Sequence, residues 1–318
     1  MRMTTMAEGR AISPGVVAAL VAARRCAAPP LAEGSGASRP AAAPRAPGRR
    51  RGVAVRPQGP RLHGRGVRTL AALVLAGLIC AALPASAQVL PLPDRDRAKI
   101  DALLGAGVVG EALPSQPIAD PSVYFPLQER TKDYLVTGGP KAGATQSLAV
   151  AKGQRPDGTP AWRLALSPSQ AAFLRRTEGG DVLMPAVTDI GEGVVVVTSP
   201  PNPFLLTGMQ PGETRTMAQQ VAVNYLDDPS RQDYSGSLTA TCTYVGTYRV
   251  TVPAGTYDAI LLRLKYAGKV GPAHTEDAAY YFFAPQVGLV AMIAQEDVEA
   301  FWVIHFDTSS GKVLSSVD

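Results

Sequence analysis

Cysteine is scarce: 318 residues hold three, Cys26, Cys80 and Cys242. The first two precede Gln88, so a chain that begins there keeps Cys242 alone and forms no internal disulfide. Histidine is as sparse, with His274 and His305 the two that follow Gln88. No HExxH or paired-histidine spacing surrounds them, which removes the usual zinc hydrolases, and no metal is expected. A G-x-S-x-G elbow, an S-x-x-K pair and a Cys–His arrangement are missing too, so the common nucleophiles are excluded. Long apolar runs come down to one, Leu70 to Leu83, whose 14 residues fall short of the ~20 that span a bilayer.

Basic charge is missing from most of the chain. Residues 1–87 carry 13 Lys and Arg against 2 Asp and Glu, whereas residues 88–318 carry 18 against 24, a balance of −6. The formal +5 of the whole chain therefore comes from its first part. A nucleic-acid partner is not expected of the acidic remainder.

What is present begins with an export signal over residues 65–87. Arg65 and Arg68 precede the apolar run, Pro84 breaks it, and Ala85-Ser86-Ala87 fits signal peptidase. The mature chain is expected to start at Gln88, in the periplasm or medium, with no transmembrane span left. Ile79 stands where a lipoprotein signal needs a small residue before Cys80, so lipidation is not expected. Residues 1–64 hold 11 Arg among Ala, Pro and Gly, a disordered arm or a misassigned start.

Residues 88–120 read as a helical lead-in and linker, with a helix capped by Asp94 and ended by Gly105. The literal G-x-G-x-x-G from Gly105 to Gly110 lacks the strand before it and the helix after it that a dinucleotide site requires. No cofactor is expected.

From residue 121 to 318 short alternating runs broken by turns indicate one antiparallel β domain. The fold expected is all-β or β-dominated α+β, a strongly curved sheet forming a barrel or half-barrel meander. The clearest hairpin joins Cys242–Val252 to Tyr257–Tyr266 through Pro253-Ala254-Gly255, a three-residue loop with Gly255 left-handed. Alternation sets Cys242, Tyr244, Tyr248, Val250 and Val252 on one face of its first strand. Phe204, Leu205 and Leu206 fall in a proline-rich loop.

VPAGTYDAILLRL followed by YYFFAPQVGLV resembles the C-terminal pattern of exported bacterial envelope proteins classed as domains of unknown function. Weaker echoes lie at YFPL (Tyr124–Leu127) and MQPGE (Met209–Glu213). The resemblance implies a β-rich envelope protein and carries over no catalytic residue.

Aromatic side chains occupy both faces of the strand holding Tyr280, Tyr281, Phe282 and Phe283, and FWVIHF is likewise two-sided. A half-exposed strand would alternate with polar residues, so both faces must be covered. The cover is a helix such as Asp94–Leu104, a crossing strand, the Phe204–Leu206 loop or an apolar ligand. The ligand-binding candidates are Phe204, Leu205, Tyr280, Phe282 and Trp302. The function expected is a non-catalytic envelope protein binding a lipid-like ligand or an envelope partner. A structural scaffold is one alternative, and a hydrolase using His274 or His305 with nearby carboxylates, Glu276, Asp277 and Asp307, is another. Asp227 and Asp228 read as a solvated turn, and Cys242 as packing.

Overall fold

The structure is a computed structural model and describes residues 87–300 and 304–317, without the side chains of 300, 304–306 and 317. The arm, almost all of the export signal, Trp302 and the His305 side chain lie outside the described residues. The chain enters through β1 (Gln88–Val89), α1 (Asp94–Leu104), β2 (Val109–Ser115) and α2 (Pro121–Tyr124). A meander follows: β3 (Arg130–Gly138), β4 (Thr145–Gln154), β5 (Pro160–Ala165), β6 (Gln170–Arg176), β7 (Val182–Asp189) and β8 (Val194–Leu205). It continues through β9 (Thr214–Tyr225), β10 (Gln232–Val252), β11 (Gly255–Val270), β12 (Ala273–Ala284), β13 (Gly288–Ala300) and β14 (Ile304–Val317).

Each strand from β3 onward pairs antiparallel with the next, and β14 returns to pair with β3. The result is a closed, twelve-stranded up-and-down barrel. An even number lets a simple meander close with an antiparallel seam, which removes the sheet's edges. The inward face is apolar, with Leu148, Leu164, Val187, Val196, Val223, Ala240 and Leu264 all buried. Outward positions on β9 and early β10, Thr214, Thr216, Gln220, Ser237 and Thr239, are exposed.

One irregularity rearranges the expected faces. The register of β10 against β11 shifts between Tyr244 and Gly246, a bulge that inserts Val245. An extra residue flips the alternation beyond it. Cys242 and Tyr244 therefore point inward, whereas Tyr248, Val250 and Val252 turn to the outer face. They do not share one face as strict alternation predicts. Beyond the bulge β10 leaves β9 and pairs with β2 instead. The hairpin tip reaches β14, where the Ala254 N–H bonds the Leu314 carbonyl at 3.2 Å.

Helix α1 covers the outer face of β11 to β14. Asp96, Ile100 and Leu104 are spaced by four, so they line one side of the helix, and all three are buried. Beneath them runs one cross-strand row, Arg263, Tyr280, Ile293, Gly311 and Gly138. The 11 residues of α1 make about 16 Å, enough to cross three strand spacings of about 4.8 Å. Gly311 is required at the far end, because a Cβ there would lie 2.2 Å from the Leu103 carbonyl oxygen. The same carbonyl accepts from Thr137 Oγ1 at 2.7 Å.

Local expectations differ at several points. Asp94 is the first residue inside α1 rather than its cap, and with Asp96 it favours the positive end of the helix dipole. The segment read as a connector after Gly105 contains β2, because the freed half of β10 needs a pairing partner. Phe204 and Leu205 are not in a loop: β8 continues through Pro200, Pro201 and Pro203 to Leu205, and Leu206 follows its end. The hairpin loop is two residues, Pro253 and Ala254, since Gly255 already pairs with Val252.

Gly255 keeps a glycine-favouring φ of 140°. Gly255→Val should therefore destabilise by roughly 1–3 kcal/mol, more than Ala254→Val. Chemical denaturation of the two variants would check this, and coincident midpoints would mean that the turn is drawn wrongly.

Candidate functional site

The aromatic strand β12 has both faces covered by the chain itself. Inward, Tyr281 and Phe283 meet Phe204 with ring centroids 5.7 and 5.5 Å apart, and Phe283 meets Phe125 at 5.9 Å. Phe125 and Phe204 stack edge-on at 5.1 Å, closing the cluster. Outward, Phe282 is fully buried, and the Tyr280 hydroxyl donates to Asp96 Oδ1 at 2.8 Å. Arg263 Nη1 holds the other oxygen of Asp96 at 2.5 Å. The buried carboxylate thus has two donors, which its loss of hydration requires.

The expected ligand residues are accordingly divided. Phe204 packs with the inward Tyr281 and Phe283 and Leu205 is buried beside it, while Tyr280 and Phe282 are on the outer face, Tyr280 bonded to Asp96 of α1. Trp302 lies outside the described residues. The structure does not bring these five together.

The hydrolase candidates do not form a cleft among the described residues. His274 is exposed on the outer face, opposite Glu299 and Lys269. The register sets His305 opposite Glu299 on the other side, its side chain being outside the described residues. Asp228 accepts from Ser230 N and Oγ, a local turn. Burial pushes the Cys242 thiol up to about 12, which removes the thiolate a nucleophile needs. Among the described residues no three His, Cys, Asp or Glu are grouped to hold a metal ion. The Gly105–Gly110 run leads from helix to strand, the reverse of a pyrophosphate-binding turn.

Buried charge marks three places; of their residues the sequence singles out Asp277 alone, as a carboxylate near His274, and not its burial beside Glu296. Asp277 on β12 faces Glu296 on β13, inside the barrel. Burial, foremost, and the neighbouring Glu296 push its carboxyl up to about 8, although Thr275 Oγ1 and Asp297 N–H donate to it. Lys312 is 1 % exposed, and its ammonium has no hydrogen-bond partner. Burial, with repulsion from Lys141, lowers it to about 7.

The third place is a small cleft within the inner wall at β3 to β5. Arg130, Lys132 and Tyr134 alternate along β3 and face it with Phe125, Leu148, Val150, Leu164 and Leu289. Its free volume is about 20 Å³, close to one water molecule. Arg130 Nη1 and Lys132 Nζ both donate to one acceptor, the Val287 carbonyl. Among the described residues no carboxylate is paired with either cation. Burial, then the adjacent Arg130, lowers Lys132 to about 8. Arg130 also lies over the Phe125 ring at 5.0 Å. Gly288, at φ 93°, permits the approach, because a Cβ there would be 2.6 Å from Arg130 Nη2.

No protein-family model and no curated protein matches the chain. Three solved structures are similar at low scores. One, described as an exported protein with a YmcC-like fold from Bacteroides fragilis, is 12% identical with a TM-score of 0.33, over 62% of this chain and 99% of that one. A second, described as a lipoprotein from Parabacteroides distasonis, is 14% identical with a TM-score of 0.29, over 62% and 98%. The hypothetical lipoprotein YmcC from Escherichia coli is 8% identical with a TM-score of 0.27, over 72% and 98%.

The buried charges make stability depend on pH in opposite directions. Asp277 is raised in the fold, so its contribution is complete below about pH 4 and is lost as pH rises through 8. Lys312 is lowered, so its contribution is complete above about pH 10 and is lost as pH falls through 7. Asp277→Asn should then stabilise most above pH 8, and Lys312→Met most below pH 7, each by more than about 1 kcal/mol. Melting temperatures measured from pH 5 to 10 would test both; a pH-independent gain would refute the assignment.

Proposed function

We propose that the chain is an exported, non-catalytic envelope protein that binds a lipid-like ligand or an envelope partner at the Arg130–Lys132 cleft. The aromatic strand is structural in this reading. The observation that carries it is the cleft itself, where inner-wall side chains, Leu148, Val150 and Leu164, meet a small free space bounded on one side by Phe125 of the aromatic cluster. Elsewhere the inner face of β12 is filled by Phe125 and Phe204, and its outer face by α1. The small free volume means that a bound chain displaces Phe125 or lies across the mouth.

Support for export comes from the basic residues, apolar run and Ala85-Ser86-Ala87 ahead of Gln88. Support for a non-catalytic role comes from the buried, high-pKa Cys242 and from the outward, exposed His274.

Protein recovered from the periplasm or medium should begin at Gln88 on N-terminal sequencing, and an intact Met1 on cytosolic protein would overturn export. Lipid mass spectrometry on the same preparation should find a co-purifying amphiphile in near-stoichiometric amount. A ligand-free preparation that gives no saturable response to added lipid would instead favour a scaffold with a filled core.

A further inference from the structure

The cleft has a charge arrangement that an apolar ligand alone does not explain. Lys132 is 8 % exposed and, beside Arg130 and Tyr134, faces the apolar side chains of Phe125, Leu148, Val150, Leu164 and Leu289. Taking an ammonium from water into such surroundings costs several kcal/mol unless an opposite charge or several acceptors replace the water. Lys132 has one neutral carbonyl, and it shares that carbonyl with Arg130. Two cations converging on a single neutral oxygen leave net positive charge at the entrance to an apolar space.

The segments that build this arrangement are far apart in the chain. Phe125 belongs to the YFPL stretch, whereas Val287, Gly288 and Leu289 belong to the APQVGLV turn. Gln286 N–H bonds the Val123 carbonyl at 2.7 Å, which fastens the two segments together. Gln286 holds a positive φ of 63°, a conformation uncommon outside glycine. The Leu289 carbonyl accepts from the Tyr134 hydroxyl at 2.8 Å, which ties β3 to the same turn. The cations are therefore held on a fixed frame and not on a mobile loop tip.

We propose that the anionic head of an amphiphile lies across the mouth of the cleft, with a phosphate or carboxylate group on Arg130 and Lys132 and the first chain carbons running over Phe125. This rests on the cleft being the ligand site. The oxyanion takes the place of the Val287 carbonyl as the main acceptor for both cations. The Arg130 fork suits two oxygens of one group, and the ammonium adds a point charge beside it. The apolar contact with Phe125 then distinguishes an amphiphile from a free anion of the same head.

Three probes below their aggregation concentration separate the possibilities: hexyl phosphate, inorganic phosphate and hexanol, titrated calorimetrically into the folded protein. Hexyl phosphate should bind saturably and at least tenfold more tightly than either of the others. Lys132→Met and Arg130→Gln should each weaken it tenfold or more. Lys132→Met removes a buried charge and should melt no lower than the parent, so its loss of binding would not reflect misfolding. Equal binding of hexanol would overturn the anion site while leaving the ligand reading in place. Equal binding of inorganic phosphate would overturn the amphiphile. Unchanged affinity in both variants would place the head elsewhere and overturn the proposal. Absence of binding by all three would overturn the ligand reading together with it.

Discussion

The single extra residue at Val245 is what the rest of the architecture depends on. Before it, β10 is a wall of the barrel, paired with β9 and pointing Cys242 and Tyr244 inward. After it, the same strand shows Tyr248, Val250 and Val252 to the outside and takes β2 as its neighbour. A strand can change the face of its apolar residues without changing its sequence pattern only by inserting a residue. The apolar residues turned outward in this way, Tyr248, Val250 and Val252, are buried, while α1 covers the neighbouring row from Arg263 to Gly138. Burial of Ile100 and Leu104 contributes on the order of 2 kcal/mol each by area.

Buried charges in this barrel fall into two kinds, separated by how they are compensated. Asp96 has a guanidinium at 2.5 Å and a hydroxyl at 2.8 Å, so both of its oxygens are satisfied. Such a group fixes the position of α1 over the row from Arg263 to Gly138, and its net stability can be near zero while its positional effect is large. Among the described residues no carboxylate is paired with Lys132 or Lys312. The cost of their desolvation is met by the remainder of the core, and burial lowers the affinity of both for their protons. Lys312 is enclosed, with no route to a ligand; Lys132 borders a cleft. That difference in access, rather than any difference in charge, separates a strained core residue from a binding candidate.

The resemblance motifs acquire a physical role in the same region. Proline and glycine in APQVGLV read as turn punctuation, yet Gly288 also makes room for the Arg130 side chain, and Val287 and Leu289 offer carbonyls to β3. Read as sequence, Arg130, Lys132 and Tyr134 alternate with Thr131, Asp133 and Leu135, and neither set is clearly the apolar one. Charge would send Arg130 and Lys132 to solvent. Closure of β3 on β14 sends them inward, because Tyr134 and Val136 share their face and are buried. The pairing of Asp277 with Glu296 was hidden for the same reason: it depends on a register between strands, not on spacing along one.

The sequence by itself determined the strand-rich class, the meander, the short helix and the need to cover both faces of β12. These follow from local quantities, namely period-two alternation, turn residues and the count of apolar side chains. Tertiary structure alone decided that the barrel closes, which cover lies on which face, and which charges are buried together. Closure joins residues nearly two hundred positions apart, as Lys132 joins Val317, and the bulge at Val245 reverses a face without altering the alternation that predicts it. Long-range register is an energy shared among many weak contacts, so no short stretch of sequence records it.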